Sequence, residues 1–187
     1  SAPENVAWTL NIRGSDGPNT PMPNSRLIVS KTKKIYLIAN KIKCKKLIYQ
    51  KIINSNQIID FNEISKLKGN SFIIDENTCS IYFENLIKSK FKIKKREDPI
   101  YHFKSIKNKT EISHMIKSHI LDGAALTKFL YWMKNTNKKQ ITEVQAQNKL
   151  EKFRKQNRNY LYPSFDTIAG TGKNGAIVHY RAKPDNC

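Results

Sequence analysis

Acidic residues, cysteine and glycine are all in short supply here: 15 Asp and Glu face 34 Lys and Arg, and the 187 residues hold three cysteines and seven glycines. Each shortage excludes something. Cys44, Cys79 and Cys187 are odd in number, widely spaced and free of CxxC pairing, which argues against a disulfide framework and a zinc finger. A reducing, cytoplasmic compartment fits them best. No apolar run approaches the roughly 20 residues of a spanning helix, and the opening SAPENVAW carries neither a charged leader nor an apolar one, so no membrane is expected as a partner. The first residue is Ser and not Met, which processing or excision from a longer chain would explain.

What remains is a net charge of +19. Polyanions are the partners such a surplus first suggests, because each neutralised phosphate releases counterions. The lysines, however, travel with isoleucine and asparagine along the whole length, as in Lys41 to Ile53, and gather in no arm or stripe. Arginine, suited to bidentate phosphate contacts, is scarce, and there is no Gly/Arg tract, paired-Cys/His finger or basic heptad helix. Biased residue usage in a globular chain is the better reading, and a basic nucleic-acid-binding domain the weaker one. Hydrophobic residues at 39% suffice for a core in one ordinary domain or two small ones.

Along the chain, Val6 to Ile12 reads as a strand and Gly14 to Asn24 as an irregular turn region. Arg26 to Ser30 and Lys34 to Asn40 read as an antiparallel hairpin, and Lys45 to Ile53 as a helix. A short helix at Asp60 to Leu67, a strand at Ser71 to Asp75, a helix at Ser80 to Lys88 and a strand at Phe91 to Arg96 complete an α/β unit with a mixed sheet. The charged REDP segment, Arg96 to Pro99, predicts the boundary, giving domains 1–97 and 98–187. Beyond it, a helical rhythm runs from Glu111 to Met133, with Asn108 and Glu111 at capping-box spacing; Gly123 inside it predicts close packing of another element. A second helix opens with Thr142 and Gln145 at the same spacing and runs through Phe153. Ser164 to Ile168 and Ala176 to Tyr180 read as strands joined by GTGKNG.

Candidate chemistry is sparse. GTGKNG is no phosphate loop, since Lys173 precedes the last glycine and no Ser or Thr and helix follow. His114 and His119 stand about 500° apart round a helix, a poor match to the i, i+4 face of zinc-binding pairs. His102, beside Tyr101 and Phe103, reads as a partly buried, satisfied ring. Ser164 lacks the GxSxG elbow, and no cysteine has a partner motif. His179 lies in the apolar run AIVHY, where alternation places it on the face opposite Val178 and Tyr180. By residue chemistry alone it reads as a core histidine.

Ser164 to Tyr180, SFDTIAGTGKNGAIVHY, is similar to the family pattern SFxTIxxxGxNGAIIHY that opens the catalytic sheet of Xaa-Pro aminopeptidases. The match comprises Ser164, Phe165, Thr167, Ile168, Gly172, Asn174, Gly175, Ala176, Ile177, His179 and Tyr180. Glu4 to Asp16, ENVAWTLNIRGSD, resembles the segment DEIAWLLNIRGSD near the start of the family's middle domain. Ile106 to Leu126 and Ile141 to Gln156 resemble the first two helices of its catalytic domain.

The resemblance implies a creatinase-like middle domain over 1–97, its first strand missing, and the opening of a pita-bread metallopeptidase domain over 98–187. It implies a cytoplasmic parent enzyme that hydrolyses the N-terminal Xaa-Pro bond of proline-containing peptides, with a homo-dimer among its expected states. Family members hold two divalent ions, usually manganese or zinc, on two Asp, one His and two Glu, beginning with a DSGxxYxDGTTD-type strand pair that follows HY. The chain stops at Cys187, before that pair, so it is expected to bind neither ion and to be catalytically incompetent alone. Asp166 and Asp185 lack the motif; Asp166 stands where the family usually has proline. His179 corresponds to the family histidine that contacts substrate near the scissile bond. A non-catalytic binding or assembly module is the alternative.

Overall fold

The computed structural model describes residues 1–137 and 140–184. Contacts divide the chain into two units, Ser1–Ile106 and Lys107–Cys187.

The first unit opens with helix α1 (Pro3–Thr9), where alternation predicts a strand. Pro3 explains the difference: at the start of a helix its missing N–H is an orphan anyway and its fixed φ suits the first turn. The helix ends in a complete left-handed cap. Asn11 takes φ 48°, its N–H bonds Trp8 O at 3.2 Å, and the N–H of Ile12 bonds Ala7 O at 2.9 Å. The turn delivers Ile12 into the core beside Val6.

β1 (Arg26–Val29) and β2 (Ile35–Ile38) form the predicted antiparallel hairpin, and β3 (Ile58–Ile59) adds parallel to β2. Pleating sends Leu37 and Ile58 to one face and Ile38 and Ile59 to the other. Each face has its own core. Val6, Ile12, Leu27, Cys44 and Ile53 fill the first; Ile64, Ile74, Ile87 and Phe91 fill the second. Helix α2 (Lys45–Tyr49) is shorter than its periodicity predicts, because Lys51 turns left-handed at φ 57° and sends Ile53 inward. β4 (Ser71–Ile74), α3 (Ile81–Lys88) and β5 (Lys92–Lys95) make a β-α-β unit with the two strands parallel. The strands are thus shared between a three-stranded mixed sheet and a two-stranded parallel one.

α4 (Pro99–Ser105) begins at the proline of REDP and packs on α1. The fully buried Asn5 donates to Asp98 Oδ2 at 3.0 Å and accepts from Lys104 Nζ at 2.8 Å, while Tyr101 donates to Glu4 at 2.7 Å. Burial, then the Glu4 carboxylate, pushes the Tyr101 hydroxyl up to about 12, so it stays a donor. These contacts carry the first unit on to Ile106.

In the second unit, α5 (Lys109–Asn135) and α6 (Glu143–Arg154) carry the predicted capping boxes, Asn108 with Glu111 and Thr142 with Gln145. Arg154 joins them through both Asp122 oxygens, at 2.6 and 3.0 Å. Gly123 meets no close neighbour: a Cβ built there finds nothing within 4 Å. It lies instead in an outward apolar stripe of α5 with Ile112, Ile116, Ile120, Leu126 and Leu130, all exposed. Among the described residues no helix is long and apolar enough to cross a membrane.

The two strands predicted over 164–180 do not form. A strand needs a ladder partner, and here the backbone bonds itself locally: Asn174 N–H to Thr171 O, Ile177 N–H to Asn174 O and Tyr180 N–H to Ile177 O, at 3.1 to 3.2 Å. The result is a 3₁₀ turn at Gly172–Ala176 within an irregular segment.

Candidate functional site

The segment 164–180 is held against the first turn of α6 by one carboxylate. Glu143 is 7% exposed and, among the described residues, is the charged side chain in the buried set. Its Oε1 accepts from the Thr171 N–H at 2.5 Å. Its Oε2 accepts from the Tyr180 hydroxyl at 2.7 Å and from the Asn174 amide at 3.1 Å, and that amide also donates to the Tyr180 oxygen at 3.0 Å. The Tyr180 hydroxyl, helped by Thr171 and Asn174, holds the Glu143 carboxyl below the usual glutamate range against the opposing effect of burial. The glycines permit the fold-back. A Cβ on Gly170 would stand 2.9 Å from Asn174 O, and Gly172 takes φ 54°.

His179 precedes the buried Tyr180 and takes φ 56°, a left-handed backbone uncommon for a non-glycine residue. Strand alternation would have set it opposite Val178 and Tyr180. Instead Val178 and His179 are both exposed and only Tyr180 turns in, because the reversal at 179 breaks the period. His179 is therefore no core histidine but a side chain presented to solvent.

The other candidates are scattered. Asp166 pairs with Arg181 at 2.8 Å, and Asp185 and Cys187 lie outside the described residues. His114 and His119 are exposed on α5, the latter with Nδ1 at 2.8 Å from Met115 O. His102, expected to be partly buried, is exposed beside Phe103 at 6.1 Å between ring centroids. Ser164 and Lys173 are exposed. Burial pushes the Cys44 and Cys79 thiols up, away from the thiolate a nucleophile needs. A hollow of about 610 Å³ between α5 and α6, beside Tyr131, Trp132 and Phe153, includes none of these groups. Among the described residues no group of three or more His, Cys, Asp or Glu could hold a metal ion.

Sequence reasoning passed over Glu143. An acid in the first turn of a helix reads as a partner of the helix dipole, and its bonding partners lie 28 to 37 residues away, beyond any local pattern.

Comparison with known proteins places the fold. Residues 1–111 match the Creatinase/Prolidase N-terminal domain family and residues 113–187 match Metallopeptidase family M24. The chain is 33% identical over 205 residues to a probable Xaa-Pro aminopeptidase P of Paracoccidioides brasiliensis (strain Pb18), over 98% of this chain and 33% of that protein. A probable Xaa-Pro aminopeptidase P of Sclerotinia sclerotiorum is 31% identical over 204 residues, with the same shares covered. The chain thus spans about a third of the length of these relatives. Among solved structures, the X-prolyl aminopeptidase of Caenorhabditis elegans, described as a cytosolic enzyme with a di-nuclear active site, aligns with a TM-score of 0.78 at 25% identity, over 96% of this chain and 31% of that one. The Xaa-Pro dipeptidase of Bacillus anthracis shares the fold at TM-score 0.63 and 14% identity, over 83% of this chain and 43% of that one. The α/β architecture with creatinase-like and pita-bread parts therefore stands. By the family match over most of its length, the chain belongs to the creatinase-type M24 metallopeptidases, the family of the Xaa-Pro aminopeptidases.

Proposed function

We propose that the chain is part of a cytoplasmic metallo-aminopeptidase that hydrolyses the bond before proline at the N-terminus of peptides. The observation that carries this reading is the alignment of 96% of the chain with an X-prolyl aminopeptidase at TM-score 0.78. In this reading, residues 1–97 are a creatinase-like middle domain and 98–187 the opening of the catalytic domain. His179 is the substrate-binding residue. An imidazole donates from one ring nitrogen and accepts at the other, so an exposed His179 can bond a peptide backbone and hold a proton beside the scissile bond.

The described residues do not fit a two-ion site: they offer no cluster of three donors, and the Asp166 carboxylate faces Arg181. In this reading the manganese or zinc pair is held by residues other than these, and the 187-residue chain has no turnover of its own. A homo-dimer is among the states this reading allows the parent.

An Xaa-Pro-Xaa tripeptide supplied with manganese tests both halves. The purified chain should release no amino acid, whereas the protein expressed from the same reading frame extended past Cys187 should. Turnover by the chain alone overturns its incompetence; an inactive extended protein overturns the peptidase assignment.

A further inference from the structure

Besides the Asp166–Arg181 ion pair, three hydrogen bonds fasten the loop that carries His179, and these three converge on one side chain. Thr171, Asn174 and Tyr180 each donate to Glu143, so the fastening spans the 3₁₀ turn and ends one residue past His179. Both carboxylate oxygens are engaged, and the Asn174 amide closes the cluster onto the Tyr180 hydroxyl. No other acidic side chain in the buried set of the described residues could replace it.

The geometry at His179 depends on this fastening. A left-handed φ in a non-glycine residue is strained, and it persists only when its surroundings over-determine it. On the C-terminal side those surroundings include Tyr180, 6% exposed, with its hydroxyl drawn inward to Glu143, and Arg181, paired with the exposed Asp166. On the N-terminal side they are Thr171 and Asn174, drawn to the same carboxylate. With Tyr180 pulled in, the reversal at 179 turns the imidazole out; with Tyr180 released, the segment could relax to an ordinary extended backbone and redirect the ring.

We infer that Glu143 is the positioning residue for His179: it touches no substrate, and its carboxylate sets the backbone that presents the imidazole to a peptide. The inference rests on the substrate-binding reading of His179, and the two can fail separately.

Nuclear magnetic resonance on the full chain, labelled at histidine, tests it, with His114 and His119 of the same unit as internal controls. In Glu143→Gln the side chain keeps its shape but turns an amide donor or a weaker acceptor toward three donors. The His179 ring signal should shift toward that of an unstructured histidine while His114 and His119 keep their positions. Tyr180→Phe, which removes one of the three bonds, should move the same signal by a smaller amount. An unmoved His179 signal in Glu143→Gln overturns the inference, and so does a common shift of all three histidines, which would make Glu143 a brace for the whole unit. Adding an Xaa-Pro dipeptide to the unsubstituted chain separates the readings: an unresponsive His179 removes the peptide-binding role and leaves the positioning result intact.

Discussion

Gly123 sits at the centre of the outward stripe of α5, where an added methyl group meets nothing within 4 Å. Glycine inside a helix is disfavoured against alanine by about 1 kcal/mol, chiefly through backbone entropy. Gly123→Ala should therefore stabilise the helix by up to about 1 kcal/mol, read as a later loss of helical circular dichroism on heating. An earlier loss would show that the open space is needed. At this scale the sequence was legible only where a residue's partners are local. Asn108 and Thr142 announce their caps through Glu111 and Gln145 three residues on, and each does cap its helix. His179 was singled out by resemblance alone, while Glu143 was passed over, since its partners meet it only after folding.

Elements show the same division. The hairpin and the helices α3, α5 and α6 follow from periodicity and caps. Apolar alternation misled at Val6 to Ile12 and at Ala176 to Tyr180, for opposite reasons. Pro3 and the left-handed Asn11 make a seven-residue helix of the first, and the second finds no partner strand among the described residues. What holds the second in place is charge. Because the folded Glu143 carboxyl lies below its unfolded value, its contribution is fully present above the ordinary glutamate value and is lost as pH falls through the lowered one. The Thr171 amide signal, which reports the bond to Oε1, should thus titrate with a midpoint below the ordinary glutamate value and stay flat above it. A midpoint at or above that value would mean that the carboxylate gains nothing from its donors.

Across the whole molecule, the two units are built unequally. Both apolar core clusters belong to the first, whereas in the second Ala125, Glu143 and Tyr180 make up the buried set among the described residues. The long α5 keeps one apolar flank outside, with Ile120 66% exposed. Contiguous apolar surface of this kind marks an interaction face or an aggregation liability. A hydrophobic dye should brighten in the presence of the chain, and Ile116→Lys combined with Ile120→Lys should remove roughly half of that signal; an undiminished signal would locate the sticky surface elsewhere. The sequence changes from strand-and-helix alternation to long helices at REDP, while the helix α4 beyond it is tied to Glu4 and Asn5 by bonds spanning more than 90 residues, which no local pattern announces.

A sheet packed with isoleucine and leucine on both faces draws its cohesion from water, and that cohesion fades on cooling. The loop that carries His179 draws its cohesion from a carboxylate that acid discharges. Chilling and souring a solution of this chain should therefore loosen it from opposite ends.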